Sequence, residues 1–285
     1  MTAHQLLSTA TVAAVGLLSK AFLKFGTASV TINGLEILLR ALESQERGII
    51  TVSNHISTLD DPVTWGVLPV RCYFNSRTTR WTLGASDIMF TNPFFSEFFR
   101  LGQTIETFRG NGVYQPAVDT AIDKLNQGYW VHLYSEGKIC QPTTYARDSD
   151  GNVTLSKFKW GIGRIIMEAN VTPTIIPVWL TGFDQVMPEG RPFPYKYMPR
   201  LGAHLSITFG DPLAADRTRE ALNTAYKARR NEQFQRGCGH LRRAMGHGHC
   251  DSDSAYDLNT VRSEITEIIR QTVLALGRKT SGQRC

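Results

Sequence analysis

Short apolar runs separated by longer segments of helical periodicity are the feature that most constrains the fold. Gly48–Ser53 (GIITVS) is a β-branched run of strand length, and Trp130–Tyr134 and Thr174–Leu180 have the same character. His204–Phe209 alternates apolar and polar residues, as a half-buried strand does. Because strands that alternate with helices build an α/β sheet, the sequence predicts an α/β fold.

The segments between and after these runs predict the helices and the domain limits. Tyr114–Asn126 and Phe158–Ala169 have helical spacing, and Leu258–Leu276 predicts a closing amphipathic helix. The predicted regions are a membrane-interface helix at 1–33, the α/β domain at 34–215, a basic flexible insertion at 216–257, and the amphipathic helix with its tail at 258–285.

The N-terminal segment has no Asp or Glu in its first 35 residues. Its longest uncharged run, Gln5–Ser19, is too short to span a bilayer comfortably, and Lys20 and Lys24 follow one helical turn apart. This pattern is typical of an amphipathic helix that lies in a membrane interface. A helix that packs on the α/β domain is the alternative.

The net charge of +6 is carried by the C-terminal half, because the first 142 residues are neutral in sum. Eight cations fall between Arg217 and Arg243. Such a bias suits an anionic membrane surface or nucleic acid, although a solvated basic helix has the same composition. No zinc finger, RNP motif or basic heptad array accompanies it, so we expect no nucleic-acid partner.

The cysteines suggest neither a disulfide framework nor a metal site. Five are scattered along the chain without a Cys-x-x-Cys pair, which favours a compartment where thiols stay reduced. One short segment combines thiols and imidazoles, but its spacing matches no zinc pattern, so we predict no metal. Its residues are Cys238, His240, His247, His249 and Cys250.

The sharpest chemical feature is a histidine, His55, five residues before an aspartate, Asp60. A neutral alcohol is a weak nucleophile, so acyl transfer to a hydroxyl needs a base such as histidine. A carboxylate on the other ring nitrogen fixes the tautomer and stabilises the imidazolium. On one helix the two side chains would point about 140° apart, so they can meet only across a turn. The strand before them and Asp61-Pro62 after them predict that turn.

Four motifs resemble those of the glycerolipid acyltransferase superfamily, in the same order. Asn54-His55 with Asp60 and Pro62 resembles the first motif, and Phe108-Arg109-Gly110 the second. Tyr134-Ser135-Glu136-Gly137 resembles the third, although the family usually has Pro where this chain has Ser135, which predicts a looser turn. Ile176-Pro177-Val178 resembles the fourth. The resemblance implies a mixed central sheet flanked by helices.

Further stretches resemble the tafazzin branch of this superfamily. They are Thr51–His55, Arg80–Thr82, Ala85–Ile88, Gly112–Gln115 and Phe158–Arg164. The resemblance implies exchange of acyl chains between phospholipids and lysophospholipids without acyl-CoA or another cofactor, notably on cardiolipin. It implies a peripheral protein of mitochondrial membranes, facing the intermembrane space, with membrane protein complexes as further partners.

The resemblance also assigns roles to residues. His55 and Asp60 would be catalytic, and the substrate-binding set would be Arg109, Glu136, Gly137 and Asn54. Arg109 would contact a lipid phosphate, for which its planar guanidinium is suited, whereas a surface ion pair is the alternative. Glu136 would orient Arg109 or bind a glycerol hydroxyl, or else cap its loop. Asn54 could hold the turn instead of substrate.

The same residues fit two other functions. An acyl-CoA-dependent lysophospholipid or glycerol-3-phosphate acyltransferase would share all four motifs. A non-catalytic membrane-binding protein would need the His55–Asp60 pair only for structure. The four phenylalanines of Pro93–Phe99 fit either core packing or insertion into lipid near the active site.

Overall fold

A computed structural model describes residues 2–44, 46–213 and 258–281 of the chain. The strands have these bounds: β1 Thr27–Asn33, β2 Ile49–Ser53, β3 Trp81–Ala85, β4 Thr104–Thr107, β5 Trp130–Tyr134, β6 Ala146–Arg147, β7 Val153–Thr154, β8 Thr174–Thr181 and β9 Ala203–Phe209. The helices are α1 Ala3–Phe25, α2 Leu35–Ser44, α3 Asp60–Thr64, α4 Ser86–Met89, α5 Pro93–Leu101, α6 Pro116–Asn126, α7 Gly161–Glu168, α8 Phe183–Val186 and α9 Leu258–Thr280. Short 3-10 turns occur at Trp65–Val67, Val70–Phe74, Pro142–Thr144 and Tyr195–Tyr197.

Within the described residues, seven strands form one mixed sheet in the order β1-β9-β8-β2-β5-β3-β4. The five neighbours from β8 to β4 are mutually parallel, whereas β9 runs antiparallel to β8 and pairs in parallel with β1. The predicted mixed sheet flanked by helices is therefore confirmed. The strands β6 and β7 form a separate hairpin.

Helices cover both faces of this sheet, which makes three layers. Helices α6, α7 and α9 pack with one face in a single apolar cluster. Helices α1, α2 and α8 and the turns after β2 pack with the other face in a second cluster. Strand β2 lies at the centre with all five residues buried, as expected of a parallel strand covered on both sides.

The sheet edge at the carboxyl ends of the five parallel strands is called here the carboxyl edge. The segments after β2, β3, β4, β5 and β8 all begin there, because parallel strands end at the same side. In open α/β sheets, ligands bind in the crevice outside these strand ends. Three of the motifs predicted from sequence follow β2, β4 and β5, so this edge brings them to one side of the molecule.

One side of helix α1 packs against the α/β domain, and another side exposes apolar residues. Ala13, Gly16, Ser19 and Leu23 are buried against the domain. Its exposed leucines are Leu6, Leu7, Leu17 and Leu18. The helix is long and apolar enough to cross a membrane by length and composition, a test that buried core helices and signal sequences also pass.

Residues 27–33 depart from the sequence analysis, which grouped them with the N-terminal helix. They form β1, an edge strand paired with β9, so the sheet begins before residue 34. The predicted C-terminal helix is present as α9. The predicted basic insertion at 216–257, including the Cys/His-rich segment, lies outside the described residues.

Candidate active site

The turn after β2 brings His55 and Asp60 together. His55 lies two residues beyond the strand, and Asp60 is the first residue of α3. The Nδ1 atom of His55 is 2.9 Å from Oδ2 of Asp60. The Asp60 side chain is fully buried, whereas the His55 side chain is 21% exposed, so solutes can reach the imidazole.

The Asp60 carboxylate is held by three donors on one oxygen. Oδ2 also accepts hydrogen bonds from the backbone N–H groups of Ile56 at 2.6 Å and Ser57 at 2.9 Å. Burial raises the pKa of the Asp60 carboxyl, and the bonds from His55 and the backbone oppose that rise. The backbone bonds fix Asp60 relative to the turn, and Asp60 therefore fixes the orientation of the His55 imidazole.

This arrangement leaves one ring nitrogen of His55 for chemistry. With Nδ1 bonded to Asp60, Nε2 is the nitrogen that can accept a proton from a hydroxyl. The carboxylate would stabilise the positive charge that then forms on the ring. A base oriented in this way suits acyl transfer to oxygen or nitrogen nucleophiles.

The His55 ring packs against Tyr134, which in turn packs against His132. The Tyr134 ring lies 4.3 Å from the His55 ring, centroid to centroid, and His132 lies 4.3 Å beyond Tyr134. The two nitrogens of His132 contact the hydroxyls of Thr51 at 2.7 Å and Ser53 at 3.3 Å. Burial lowers the pKa of His132 to about 3, so this second imidazole stays neutral. Sequence reasoning missed His132, because on its strand it gives no signal beyond being one polar residue in an apolar run.

The turn after β5 contacts the backbone of the turn after β2. Glu136 is 2% exposed, and its Oε1 accepts a hydrogen bond from the His55 N–H at 3.1 Å. Burial raises the pKa of Glu136. Gly137 has φ +72°, a conformation that favours glycine, and its N–H donates to the Tyr134 carbonyl at 3.1 Å. The turn closes in this way with Ser135 in the position where the family usually has Pro.

Asn54 holds the same turn to β8. Its amide oxygen accepts from the Leu180 N–H at 2.8 Å, and its amide nitrogen donates to the Leu180 carbonyl at 2.9 Å. Asn54 is 1% exposed. Both of its polar atoms are engaged with the neighbouring strand, so the geometry favours the turn-holding alternative over contact with substrate.

Asp61 has a partner that the sequence did not reveal. It forms an ion pair with Arg80, the residue before β3, and accepts from the Trp65 indole at 3.1 Å. Burial would raise the pKa of Asp61, but the Arg80 charge outweighs it and the pKa is lowered. Arg80 also donates to the Gly102 carbonyl at 2.7 Å, so the pair ties the turn after β2 to the neighbouring strands.

Arg109 lies farther along the carboxyl edge than the other predicted site residues. It follows β4, three strand spacings from β2, or roughly 14 Å at the usual spacing. Its guanidinium forms a two-point ion pair with Asp87, which follows β3, and both side chains are exposed. The structure thus gathers Asn54, His55, Asp60 and Glu136 around the ends of β2 and β5, and places Arg109 at the rim.

The family model described as Acyltransferase matches residues 29–181. The chain is 39% identical to a protein named taffazin from Dictyostelium discoideum, over 74% of this chain and 71% of that protein. It is 38% identical to the tafazzin of Drosophila melanogaster, over 71% of this chain and 50% of that protein. An Arabidopsis thaliana N-acylphosphatidylethanolamine synthase is 36% identical, over 65% of this chain and 63% of that protein. The chain therefore spans only part of each relative, and half of the Drosophila protein.

A solved structure shares the fold. It is the 1-acyl-sn-glycerophosphate acyltransferase of Thermotoga maritima, with a TM-score of 0.51 and 17% identity, covering 94% of this chain and 79% of that one. At this identity the match concerns the fold alone. The family match and the tafazzin identities settle the membership: the chain is an acyltransferase that belongs to the tafazzin branch of the glycerolipid acyltransferase family.

Proposed function

We propose that this acyltransferase moves acyl chains between phospholipids and lysophospholipids without CoA, and so remodels cardiolipin and other phospholipids at a mitochondrial membrane. The observation that carries the chemistry is the 2.9 Å contact between His55 Nδ1 and Asp60 Oδ2, at a partly exposed imidazole on the carboxyl edge. The tafazzin relatives support the choice of lipid substrates.

In the proposed reaction, His55 acts as the base that takes up and returns one proton. Nε2 of His55 takes the proton of a lysophospholipid hydroxyl while that oxygen forms a bond to the ester carbonyl carbon of a donor phospholipid. The tetrahedral intermediate then breaks its bond to the donor glycerol oxygen, which takes the proton back from His55. The acyl chain has moved, the base is regenerated, and no bond energy from a thioester is needed.

Asp60 and Glu136 act in this scheme by positioning. Asp60 stabilises the imidazolium through Nδ1 and keeps the ring in the orientation that presents Nε2. Glu136 contacts the backbone N–H of His55, so it holds the residue and leaves the ring free. This contact supports a loop-holding role for Glu136 rather than a bond to Arg109, whose observed partner is Asp87.

Arg109 is the proposed contact for a head-group phosphate. A phosphodiester offers two oxygens to the guanidinium fork, as the Asp87 carboxylate does in this structure. Lipid phosphate would therefore replace Asp87 on Arg109 when substrate binds. The position of Arg109 on the rim suits a head group, because the acyl ester would then lie inward towards His55.

Two alternatives share this site. An acyl-CoA-dependent lysophospholipid acyltransferase would use the same dyad with a thioester donor. An acceptor with an amine in place of a hydroxyl is suggested by the name of the Arabidopsis relative. His55 could deprotonate either acceptor, so the geometry of the dyad does not select between them.

The experiment that tests the proposal supplies phosphatidylcholine with a labelled acyl chain and an unlabelled lysophospholipid, with no CoA present. We expect label in the phospholipid product with wild type and roughly 10²- to 10⁴-fold less with His55→Ala. Parallel reactions replace the donor by labelled acyl-CoA, or the acceptor by phosphatidylethanolamine with its free amine.

Each arm of that experiment has a distinct meaning. Transfer that requires acyl-CoA would contradict CoA independence, and product labelled on the amine would identify the alternative acceptor. If wild type and His55→Ala both bind vesicles and neither transfers label from any donor, the protein is a membrane-binding module and the enzymatic proposal fails.

A further inference from the structure

A second surface at the carboxyl edge is the segment 188–202, called here the edge loop. It connects α8 to β9. Because β9 runs antiparallel to β8, with Thr181 at the end of β8 paired to Ser206, β9 begins three residues beyond that end, at the carboxyl edge. The Arg200 N–H also donates to the Val186 carbonyl of α8 at 2.8 Å, so both ends of the connection lie near this edge. The edge loop therefore shares one side of the molecule with His55.

The edge loop exposes more large apolar side chains than the surface of a globular protein usually does. Every residue from 192 to 202 is exposed, and Phe193 and Leu201 are 77% and 72% exposed. Contiguous exposed apolar surface of this kind marks a binding surface for protein or lipid. The apolar and aromatic members are Phe193, Tyr195, Tyr197, Met198 and Leu201.

Cations are interleaved with these rings. Arg191, Lys196 and Arg200 lie in the edge loop with one acid, Glu189, so its net charge is positive. Lys196 lies over the ring of Tyr197, with Nζ 4.9 Å from the centroid. Aromatic rings with basic residues beside them match a bilayer surface, where rings enter the interface and cations meet lipid phosphates.

The apolar surface continues onto the end of helix α1. The N–H of Gly202 donates to the carbonyl of Gly26 at 2.8 Å, next to Phe25, which is 78% exposed. Lys24 lies over the Phe25 ring, with Nζ 5.2 Å from the centroid. The pairing of a ring with a cation is thus repeated on a second element of the same edge.

One side chain connects the edge loop to the turn after β2, which carries His55. Gln141 Nε2 donates to the carbonyls of Met187 at 3.0 Å and Ile56 at 3.4 Å, and its Oε1 accepts from the Glu189 N–H at 3.2 Å. Ile56 directly follows His55. The start of the edge loop is therefore fixed relative to the turn that carries His55.

Residues 214–257, which the structure does not describe, are a poorer candidate than lipid for covering the edge loop. That segment begins after Leu213, whose N–H donates to the Ile175 carbonyl near the start of β8, and it ends before Leu258 at the beginning of α9. Residues 214–257 also carry more cations than anions, as the edge loop does. An anionic bilayer complements the charge of the edge loop, whereas another basic segment does not.

We propose that the edge loop, with Phe25 beside it, is the surface that docks the acyltransferase on an anionic lipid bilayer. Phe193, Tyr197 and Leu201 enter the interface while Lys196 and Arg200 meet lipid phosphates. Docking on this side turns the carboxyl edge, and with it His55, towards the lipid esters. This inference rests on the proposed function for its lipid substrate, but its test reads binding rather than turnover.

The test measures sedimentation of the full chain with sucrose-loaded vesicles of phosphatidylcholine, with or without phosphatidylglycerol. The variants are Phe193→Ser/Tyr197→Ser and Lys196→Gln/Arg200→Gln. The matched controls lie at the opposite edge: Val171→Ser, which removes another exposed apolar side chain, and Arg40→Gln/Arg47→Gln. Every replaced residue is exposed, and a near-ultraviolet circular dichroism spectrum verifies the fold.

We expect the aromatic variant to lose roughly tenfold in partitioning to both kinds of vesicle. The charge variant should lose roughly tenfold or more on anionic vesicles only, and the controls should bind as wild type does. His55→Ala should also bind as wild type does, so lost catalysis and lost docking are distinguishable. Transfer between short-chain monomeric lipids should survive in both edge-loop variants.

Two outcomes would overturn the inference. One is wild-type partitioning of both edge-loop variants. The other is a wild-type dimer in solution that these substitutions dissociate while vesicle binding is unchanged, which would assign the surface to a second copy of the chain.

Discussion

Two histidines near the end of the central strands have opposite environments, and the contrast defines their roles. His55 is partly exposed with an acidic partner on one nitrogen. His132 is 1% exposed, has hydroxyl neighbours on both nitrogens, and has its pKa lowered to about 3 by burial. A base must change its protonation during turnover, so His55 fits that role and His132 fits a neutral support.

His132 should make the protein less stable in acid. An unfolded histidine has a pKa near 6.5 and the folded one about 3, so between those values the unfolded state binds more protons. The free energy of unfolding should therefore decrease as pH falls below about 6.5, by up to about 1.4 kcal/mol per pH unit from this residue. Urea unfolding of His132→Gln between about pH 7 and pH 4.5 should show a shallower decrease than wild type. The exposed His4→Gln should keep the wild-type slope, and an unchanged slope in His132→Gln would contradict the prediction.

Substitutions of Arg109 and of its partner Asp87 should change the affinity for substrate in opposite directions. Arg109→Gln removes the proposed phosphate contact and should raise KM for phospholipid roughly tenfold, with kcat little changed. Asp87→Asn removes the competing carboxylate and should lower KM. Initial rates of acyl transfer against lipid concentration measure both effects. Arg100→Gln is the matched control, because Arg100 is also an exposed arginine paired with a carboxylate, that of the half-buried Glu106. A KM for Arg109→Gln equal to that of the control would assign Arg109 to the surface.

Among the elements, two of the stretches that resemble tafazzins outside the four motifs, Gly112–Gln115 and Phe158–Arg164, contribute to packing between helices. Arg164 of α7 donates to the Val113 carbonyl at 2.8 Å and lies over the Tyr114 ring. Arg262 of α9 donates to the Tyr114 hydroxyl at 2.6 Å. These contacts join the loop before α6, helix α7 and helix α9, so this part of the family signature holds the fold together.

Gly163 sets how closely α9 approaches α7. A Cβ at this position would lie 2.5 Å from the backbone carbonyl oxygen of Arg262, which cannot move without shifting α9. Gly163→Ala should destabilise the protein by up to about 2 kcal/mol, because overpacking costs about 1–3 kcal/mol and alanine returns about 1 kcal/mol through helix propensity. Gly161→Ala, in the same helix with open space around it, should be neutral or slightly stabilising. Urea midpoints measure both, and equal midpoints would contradict the close approach.

Which elements could be predicted depended on burial. Strand β5 was predicted with its observed bounds and β2 within one residue, because both are apolar runs at the sheet centre. Strand β1 was missed since it pairs on one side only, and most of its residues are exposed. Strands β3 and β4, of five and four residues, are too short to show a period.

At the scale of the whole molecule, motifs far apart in sequence meet because the strands are parallel. The segments after β2 and β5 bring Asn54, His55, Asp60 and Glu136 together. The predicted α/β pattern allows this meeting to be expected, because parallel strands end at the same edge of the sheet. The ion pairs of Asp61 with Arg80 and of Arg109 with Asp87 could not be predicted, because they depend on strand order, which the sequence pattern does not state. The four prolines of Pro188–Pro199 indicate an irregular connection, but they do not indicate that the edge loop is exposed.

The residues proposed for catalysis and for lipid contact lie on one side of the molecule. His55, Arg109 and the edge loop are all at the carboxyl edge. The chemistry proposed for this side is that an imidazole oriented by a buried carboxylate moves the acyl chain between lipids.

The most direct test measures CoA-free transfer of labelled acyl chains by wild type, Asp60→Asn and His132→Gln, each with its melting temperature. Asp60→Asn removes the charge that orients His55 and should reduce kcat roughly 10²- to 10⁴-fold, whereas His132→Gln, also a buried polar substitution, should retain most of the wild-type rate at neutral pH. A folded Asp60→Asn protein that transfers label at the rate of His132→Gln would contradict the claim.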